Sequence, residues 1–170
     1  DLGGHSLMAL AVIDQIKQRL GWKIPLSYFI SNPTIRGLVS NASSPSAVNG
    51  ERIIIRMSKR GRRKPIVFVP ALSGLIFPFG KLARQLSEDR ACYALQSPVF
   101  LGAQPEPSIE KLAAVYAEAI KRELGHEEVD LVGWSFGGLV AFEIIRILSE
   151  SRSRRLVLLD SYFREHQFEL

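Results

Sequence analysis

One pentapeptide has the residue types and spacing of a nucleophilic site: Gly133-Trp134-Ser135-Phe136-Gly137. It matches the G-x-S-x-G pattern, in which a serine lies on a sharp turn between a strand and a helix. The apolar run before it and the amphipathic run after it predict that strand and that helix. Glycine is needed at both ends because the turn brings neighbouring backbone too close for a side chain. We therefore expect Ser135 to act as a nucleophile near a helix N-terminus, which favours an anionic intermediate. The alternative is a glycine-rich turn that only packs a helix on a strand.

Stabilising an anionic intermediate requires two hydrogen-bond donors. The backbone N–H of Phe136, directly after the nucleophile, is the first expected donor. The second is expected from the loop at residues 70–74, where proline and glycine allow the backbone to bend towards the site. Leu72 is the predicted donor and Ala71 is the alternative, unless this loop only connects a strand to a helix.

A serine nucleophile also requires a base that is oriented by an acid. Asp160 follows the apolar run at residues 156–159. It is therefore expected at the C-terminal edge of a sheet, the same edge that carries Ser135. The alternative is an aspartate that caps a turn.

The identity of the base is less clear from the three histidines. His5 lies near the N-terminus, and His126 precedes the strand that leads to Ser135. His166 fits the order Ser, Asp, His that this kind of hydrolase uses. A base normally follows a further strand, however, so we expect the catalytic histidine to lie beyond the C-terminus of this chain.

The elements that must position these groups alternate between strand and helix patterns from residue 52 onwards. Strands are expected near 52–57, 65–69, 91–95, 129–133 and 155–159, and helices near 79–86, 109–124 and 139–148. The order predicts a mainly parallel sheet with helices on both faces.

The first part of the chain has a different pattern. Apolar residues at helical spacing predict a helix over residues 6–20 that stops at Gly21, and Thr34 is expected to cap a short second helix. Small polar residues, proline and glycine then give the composition of a flexible linker. We predict a first domain over 1–41, a linker over 42–51 and a second domain over 52–170.

Two motifs suggest one family. Leu2-Gly3-Gly4-His5-Ser6-Leu7 resembles the modification site of peptidyl carrier domains in nonribosomal peptide synthetases. The motif at 133–138, together with Leu159-Asp160-Ser161-Tyr162, resembles the type I thioesterase that follows the last carrier. The resemblance implies a partial α-helical carrier domain followed by part of an α/β hydrolase. Compared with the family, the carrier is expected to lack its first helix, and the thioesterase its lid and its histidine.

The same resemblance implies a chemistry. Ser6 would carry covalent phosphopantetheine, although a serine at that place could also be an ordinary helix cap. Asp160 would be the acid of the triad. The peptidyl chain would pass from the carrier thiol to Ser135 as an acyl-enzyme, and water or an internal nucleophile would release it. The implied partners are upstream synthetase modules, a phosphopantetheinyl transferase and a peptidyl or acyl thioester.

Composition limits the other classes of function. The chain has 170 residues, 46% of them hydrophobic, and a net charge of 22 − 17 = +5. Seven basic residues lie between 52 and 64. No aromatic side chain interleaves with them, so a solvated linker and edge strand is favoured over a nucleic-acid patch. The sequence has no apolar run of membrane-spanning length, and Cys92, the single cysteine, suggests no disulfide or metal site. These features favour a cytoplasmic protein. A standalone α/β-hydrolase esterase or acyltransferase and a non-catalytic carrier fragment remain as alternatives.

Overall fold

A computed structural model describes residues 6–22, 24, 29, 34–42, 52–58, 61–125, 127–148 and 155–162. The chain divides into two compact units, Asp1–Arg52 and Ile53–Leu170. The boundary between them lies one residue after the predicted linker over 42–51, because Arg52 belongs to the first unit. Most of that linker, residues 43–51, lies outside the described residues, so its flexibility stays a prediction.

The first unit contains two described helices, α1 over Ser6–Leu20 and α2 over Ile35–Ala42. The predicted bounds of α1 are confirmed. Gly21 ends this helix, since it adopts a φ of 70° and its N–H still bonds the Lys17 carbonyl at 3.0 Å. The predicted cap of α2 is confirmed as well, because the Thr34 hydroxyl accepts the Gly37 N–H at 3.1 Å.

The second unit is built on one five-stranded sheet. Its strands lie in the order β1-β3-β2-β4-β5, and every neighbouring pair is parallel except β1 with β3. The central strands β2 and β4 are apolar on both faces, as expected for parallel strands covered on both sides. The strands span Ile54–Arg56 (β1), Arg63–Val69 (β2), Arg90–Leu95 (β3), Asp130–Trp134 (β4) and Leu156–Leu159 (β5).

Three helices cover the sheet: α3 over Gly80–Leu86, α4 over Ile109–Leu124 and α5 over Phe136–Leu148. Alternate strand side chains such as Val67 and Leu131 pack with α4 and α5 in one buried cluster. On the opposite face, Phe68 stacks on Phe79, which directly precedes α3, with ring centroids 4.7 Å apart. The predicted parallel sheet with helices on both faces is therefore confirmed. None of the described helices combines the length and the hydropathy needed to span a membrane.

Several details of the second unit differ from the sequence-based expectation. A 3-10 helix over Phe77–Phe79 precedes α3, and β2 begins at Arg63, two residues earlier than expected. A short 3-10 helix over Pro98–Leu101 was not expected. Its local signals are present, because the Ser97 hydroxyl accepts the Val99 N–H and Gly102 ends the helix at a φ of 84°. Helix α5 also begins at Phe136, earlier than expected, since Gly137 and Gly138 are helical.

Candidate active site

Ser135 lies on the turn between β4 and α5. Its φ is 52°, in the left-handed region that residues other than glycine rarely adopt. Hydrogen bonds hold this conformation on both sides: the Ser135 N–H bonds the Leu159 carbonyl at 2.8 Å, and the Ser135 carbonyl accepts the Gly138 N–H at 2.9 Å. The sharp strand-to-helix turn predicted from the G-x-S-x-G pattern is therefore present. We call residues 133–137 the elbow.

The two glycines of the elbow are required by close backbone contacts. A Cβ atom on Gly133 would lie 2.5 Å from the Gly137 carbonyl oxygen and 2.5 Å from the Gly138 Cα. A Cβ on Gly137 would collide with the carbonyl oxygens of Val69 and Pro70. Because all of these neighbours are backbone atoms, none can move aside as a flexible side chain would. Both glycines are therefore needed for the reason that the G-x-S-x-G pattern indicated, which is close backbone on either side of the turn.

Gly138 has a comparable role that the sequence analysis did not assign. A Cβ at this position would collide with the Ser161 hydroxyl and would lie 2.6 Å from the Ser161 Cβ. The absence of a side chain at 138 thus lets the segment after β5 approach the first turn of α5. The sequence shows that a second glycine, Gly138, follows the serine. It contains no local signal that Ser161 would contact this glycine.

Trp134, the residue before the nucleophile, contacts an aromatic side chain that packs on one face of the sheet. The Trp134 ring meets Phe79 edge-on, with centroids 6.4 Å apart and planes at 85°. Phe79 in turn stacks on Phe68 of β2. The three rings form one aromatic cluster that connects the residue before the nucleophile to β2.

Phe136, the first predicted oxyanion donor, is the first residue of α5. Its backbone N–H therefore belongs to the group of helix-start donors that have no acceptor within the helix. The partial positive charge of this helix end acts at the same place.

The loop after β2 reaches the elbow at Pro70, whose carbonyl oxygen a side chain on Gly137 would meet. The next residues form a turn closed by a 2.8 Å bond from the Gly74 N–H to the Ala71 carbonyl. Leu72, the predicted second donor, is a central residue of this turn, and its side chain is 79% exposed. The fold therefore brings this loop to the same edge of the sheet as Ser135.

Asp160 lies at the end of the strand next to the one that carries the nucleophile. It follows Leu159, which pairs with Trp134 in the parallel register of β4 and β5. Its φ is 48°, so it shares the left-handed conformation of Ser135. Both residues thus leave the sheet at the same level of the C-terminal edge.

The three histidines, His5, His126 and His166, lie outside the described residues. Ser6, the predicted attachment residue, belongs to the first unit, where it is the first residue of α1. Ser135 and Asp160 belong to the second unit.

The single cysteine is an unsuitable alternative nucleophile. Cys92 is fully buried within β3. Burial raises the pKa of its thiol above the usual value, more than the Ser58 hydrogen bond and the Arg90 charge lower it. A protonated, enclosed thiol is unreactive, so Ser135 is the better candidate.

Comparison with known families agrees with this arrangement. The thioesterase domain model matches residues 64–169, well over half of the chain. The chain belongs to the thioesterase family. A phosphopantetheine attachment site model matches residues 1–41, so phosphopantetheine is the covalent cofactor of the first unit. The two matches, in this order, make the chain a carrier-plus-thioesterase region of the kind found in nonribosomal peptide synthetases.

Similar proteins are much longer than this chain. Malpibaldin synthetase of Mortierella alpina is 30% identical over 161 residues, which are 93% of this chain and 3% of that protein. A dimodular nonribosomal peptide synthase of Bacillus subtilis is 27% identical over 165 residues, 95% of this chain and 7% of its own length.

Solved structures support the fold. The four-domain nonribosomal peptide synthetase AB3403 matches with a TM-score of 0.59 and 27% identity, covering 94% of this chain and 12% of that one. The NocB thioesterase domain from the nocardicin cluster matches with a TM-score of 0.57 and 26% identity, covering 65% of this chain and 50% of that one. The expected α/β-hydrolase fold is thereby confirmed.

Proposed function

We propose that this region releases a peptidyl or acyl group from a carrier-bound thioester, with Ser135 as the nucleophile that forms an acyl-enzyme. One observation carries the proposal. Ser135 has a φ of 52° between β4 and α5, and Asp160 follows the adjacent strand at the same edge of the sheet. A strained serine beside an acid at a sheet edge is the arrangement that serine hydrolases use.

The first half of the reaction would form the acyl-enzyme. The Ser135 hydroxyl attacks the thioester carbonyl, forming a C–O bond as its proton moves to a general base. The backbone N–H groups of Phe136 and Leu72 stabilise the negative oxygen that develops, with Ala71 as the alternative to Leu72. The C–S bond then breaks, and the thiol leaves with a proton. Asp160 orients the base. In this chemistry the base is a histidine.

The second half of the reaction frees the product. Water or a nucleophile within the acyl chain attacks the Ser135 ester, so the outcome is hydrolysis or macrocyclisation. The attacking nucleophile gives up its proton to the base, and the base passes that proton to the Ser135 oxygen as the ester bond breaks.

We propose Ser6 as the residue that carries phosphopantetheine. Helix α1 begins at this residue and is 15 residues long, and the N-terminus of a helix favours the negative charge of a phosphodiester. When attached, the group supplies a thiol on which an acyl chain is held as a thioester. Upstream synthetase modules and a phosphopantetheinyl transferase are the proposed partners of this unit.

A fluorophosphonate probe tests the nucleophile. The related NocB thioesterase domain has been crystallised in a covalent complex with a fluorophosphonate nocardicin G analogue. We expect a simple fluorophosphonate to add its mass to this chain at Ser135, as located by peptide mass spectrometry. Ser135→Ala should abolish the addition, whereas Ser73→Ala, in the neighbouring loop, should retain it. A wild-type chain that stays unmodified would support the non-catalytic carrier fragment instead.

A second experiment tests the carrier. Incubation with coenzyme A and a phosphopantetheinyl transferase should increase the mass of the wild-type chain but not of Ser6→Ala. If the mass gain persists in that variant, the modification lies on another residue. If the wild type gains no mass, a standalone hydrolase becomes the better interpretation.

A further inference from the structure

We propose that Ser161 is a positioning residue that holds Asp160 in place beside the elbow. The inference rests on the proposed function, because it assigns Ser161 a role in the same reaction. Ser161 itself is half-buried and directly follows the acid.

The Leu159 carbonyl oxygen is the centre of this arrangement. It accepts two hydrogen bonds, from the Ser135 N–H at 2.8 Å and from the Ser161 hydroxyl at 3.2 Å. The first is a bond between strand ends, and the second closes the chain around Asp160. One oxygen therefore connects the backbone of the nucleophile to the residues on both sides of the acid.

The backbone conformation of Asp160 explains why such a bond is needed. A φ of 48° is accessible to aspartate but remains less favourable than the extended or helical regions. Asp160 is also exposed and lies at the end of a short strand. The hydrogen bond from the Ser161 hydroxyl to the Leu159 carbonyl spans Asp160. It therefore favours the turn in which Asp160 has its positive φ.

A second contact fixes Ser161 from the other side. Its Cβ and hydroxyl occupy the space that a side chain on Gly138 would take. Ser161 is thus held between the first turn of α5 and the end of β5. Since α5 begins directly after Ser135, this contact sets the acid-bearing turn against the nucleophile's own helix.

The positioning role is measured in a chain that extends to the expected histidine, as the rate at which a fluorophosphonate labels Ser135. Ser161→Ala is expected to lower the limiting rate constant about five- to tenfold, the equilibrium weight of one net hydrogen bond. The half-saturating probe concentration should not change. Ser87→Ala is the matched control, because the Ser87 hydroxyl also bonds a backbone carbonyl, that of Arg84 at 2.6 Å, but at the end of α3. That control should label at the wild-type rate.

A double-mutant cycle separates positioning from a general loss of structure. Asp160→Asn alone should slow labelling more than Ser161→Ala. In the Asp160→Asn background, Ser161→Ala should have no further effect, because the carboxylate that it positions is already gone. Gly138→Ala, whose methyl group would displace Ser161, should also slow labelling.

The outcomes are distinct from those for the proposed function. Failure of the wild type to label Ser135 would reject the nucleophile itself. If the wild type is labelled but Ser161→Ala is labelled equally fast, the positioning role is wrong. Additive losses with Asp160→Asn, or wild-type labelling of Asp160→Asn, would overturn it as well.

Discussion

The backbone N–H of Ser135 bonds the carbonyl oxygen of Leu159 at 2.8 Å, where two neighbouring parallel strands end. Asp160 directly follows Leu159. The candidate acid is therefore one residue away from the carbonyl that accepts the Ser135 N–H. The pairing of Trp134 with Leu159 in the sheet brings the ends of these two strands side by side. Any reaction that needs Ser135 and Asp160 together therefore depends on the register of β4 and β5.

Replacing Asp160 by asparagine should separate chemistry from fold. Asparagine tolerates the left-handed conformation that this position adopts, so Asp160→Asn should keep the unfolding temperature close to that of the wild type. In a chain that extends to the expected histidine, loss of the charge should lower kcat for thioester hydrolysis roughly 10³- to 10⁴-fold. The control is Asp89→Asn, since Asp89 forms an exposed ion pair with Arg63 at 3.1 Å. Equal kcat values for wild type and Asp160→Asn would exclude Asp160 as the acid.

Proline at position 72 should test the second oxyanion donor. Leu72 is the first central residue of the turn from Ala71 to Gly74, a place where proline suits common turns. Leu72→Pro therefore removes the N–H but keeps the conformation of the turn. We expect kcat to fall about 10²- to 10³-fold. Leu72→Ala keeps the N–H and should retain activity. Wild-type kcat in Leu72→Pro would favour Ala71 as the donor.

Alanine in the elbow should destabilise the protein. A methyl group on Gly133 would meet backbone atoms of Gly137 and Gly138 at 2.5 Å, and we expect Gly133→Ala to lower the free energy of unfolding by about 2 to 4 kcal/mol. Gly80→Ala is the control. Gly80 has a helical φ of −59° and open space at its Cβ position, so alanine should raise stability by about 0.4 to 1 kcal/mol. Urea denaturation measures both, and equal stability of the two variants would contradict the tight turn.

A largely buried ion pair should contribute to stability at the opposite edge of the sheet. Arg90 bonds Asp130 at 3.0 Å, with side chains only 15% and 11% exposed, and the second Asp130 oxygen accepts the Arg155 N–H at 3.4 Å. Asp130→Asn leaves the arginine charge without its partner, so the free energy of unfolding should fall by about 3 kcal/mol. The double variant Arg90→Met with Asp130→Leu should recover most of the loss, because apolar residues replace such pairs at little cost. No recovery would mean that the hydrogen bond to Arg155 is the larger contribution.

Stability should fall in alkaline solution. Burial raises the pKa of Tyr116, whose ring is 2% exposed, above its ordinary value of 10.0. The neutral phenol is therefore favoured in the folded state, and its contribution is complete below the unfolded pKa and is lost as the pH rises beyond about 10. The Cys92 thiol, whose pKa burial also raises above 9.0, adds to this loss from about pH 9 upwards.

The measurement is the free energy of unfolding in urea as a function of pH. Tyr116→Phe should reduce the decline above pH 10 by up to about 1.4 kcal/mol per pH unit. The control is Tyr162→Phe, which removes the same hydroxyl from a tyrosine that is 79% exposed. An identical decline in wild type and Tyr116→Phe would assign the effect to other groups.

Local signals in the chain predicted the long elements well. Helix α4 begins after Ser108, whose hydroxyl accepts the Lys111 N–H at 3.3 Å, and ends at Gly125, which has a positive φ of 56°. Capping and glycine signals act within a few residues, so they can be recognised without knowledge of the fold. The contact between Gly138 and Ser161 had no such signal, because it joins segments that meet only after β5 has paired.

The amino-acid sequence alone determined the turn at Ser135, the order of strands and helices, and the resemblance to a carrier followed by a thioesterase. These features depend on side-chain size, backbone freedom and apolar spacing, which act over short stretches of chain. Only the tertiary structure decided that β5 pairs directly with β4, and that the Leu159 carbonyl accepts bonds from both Ser135 and Ser161. The reason is that strand register is set by packing of the whole sheet against its helices, and no local pattern specifies it.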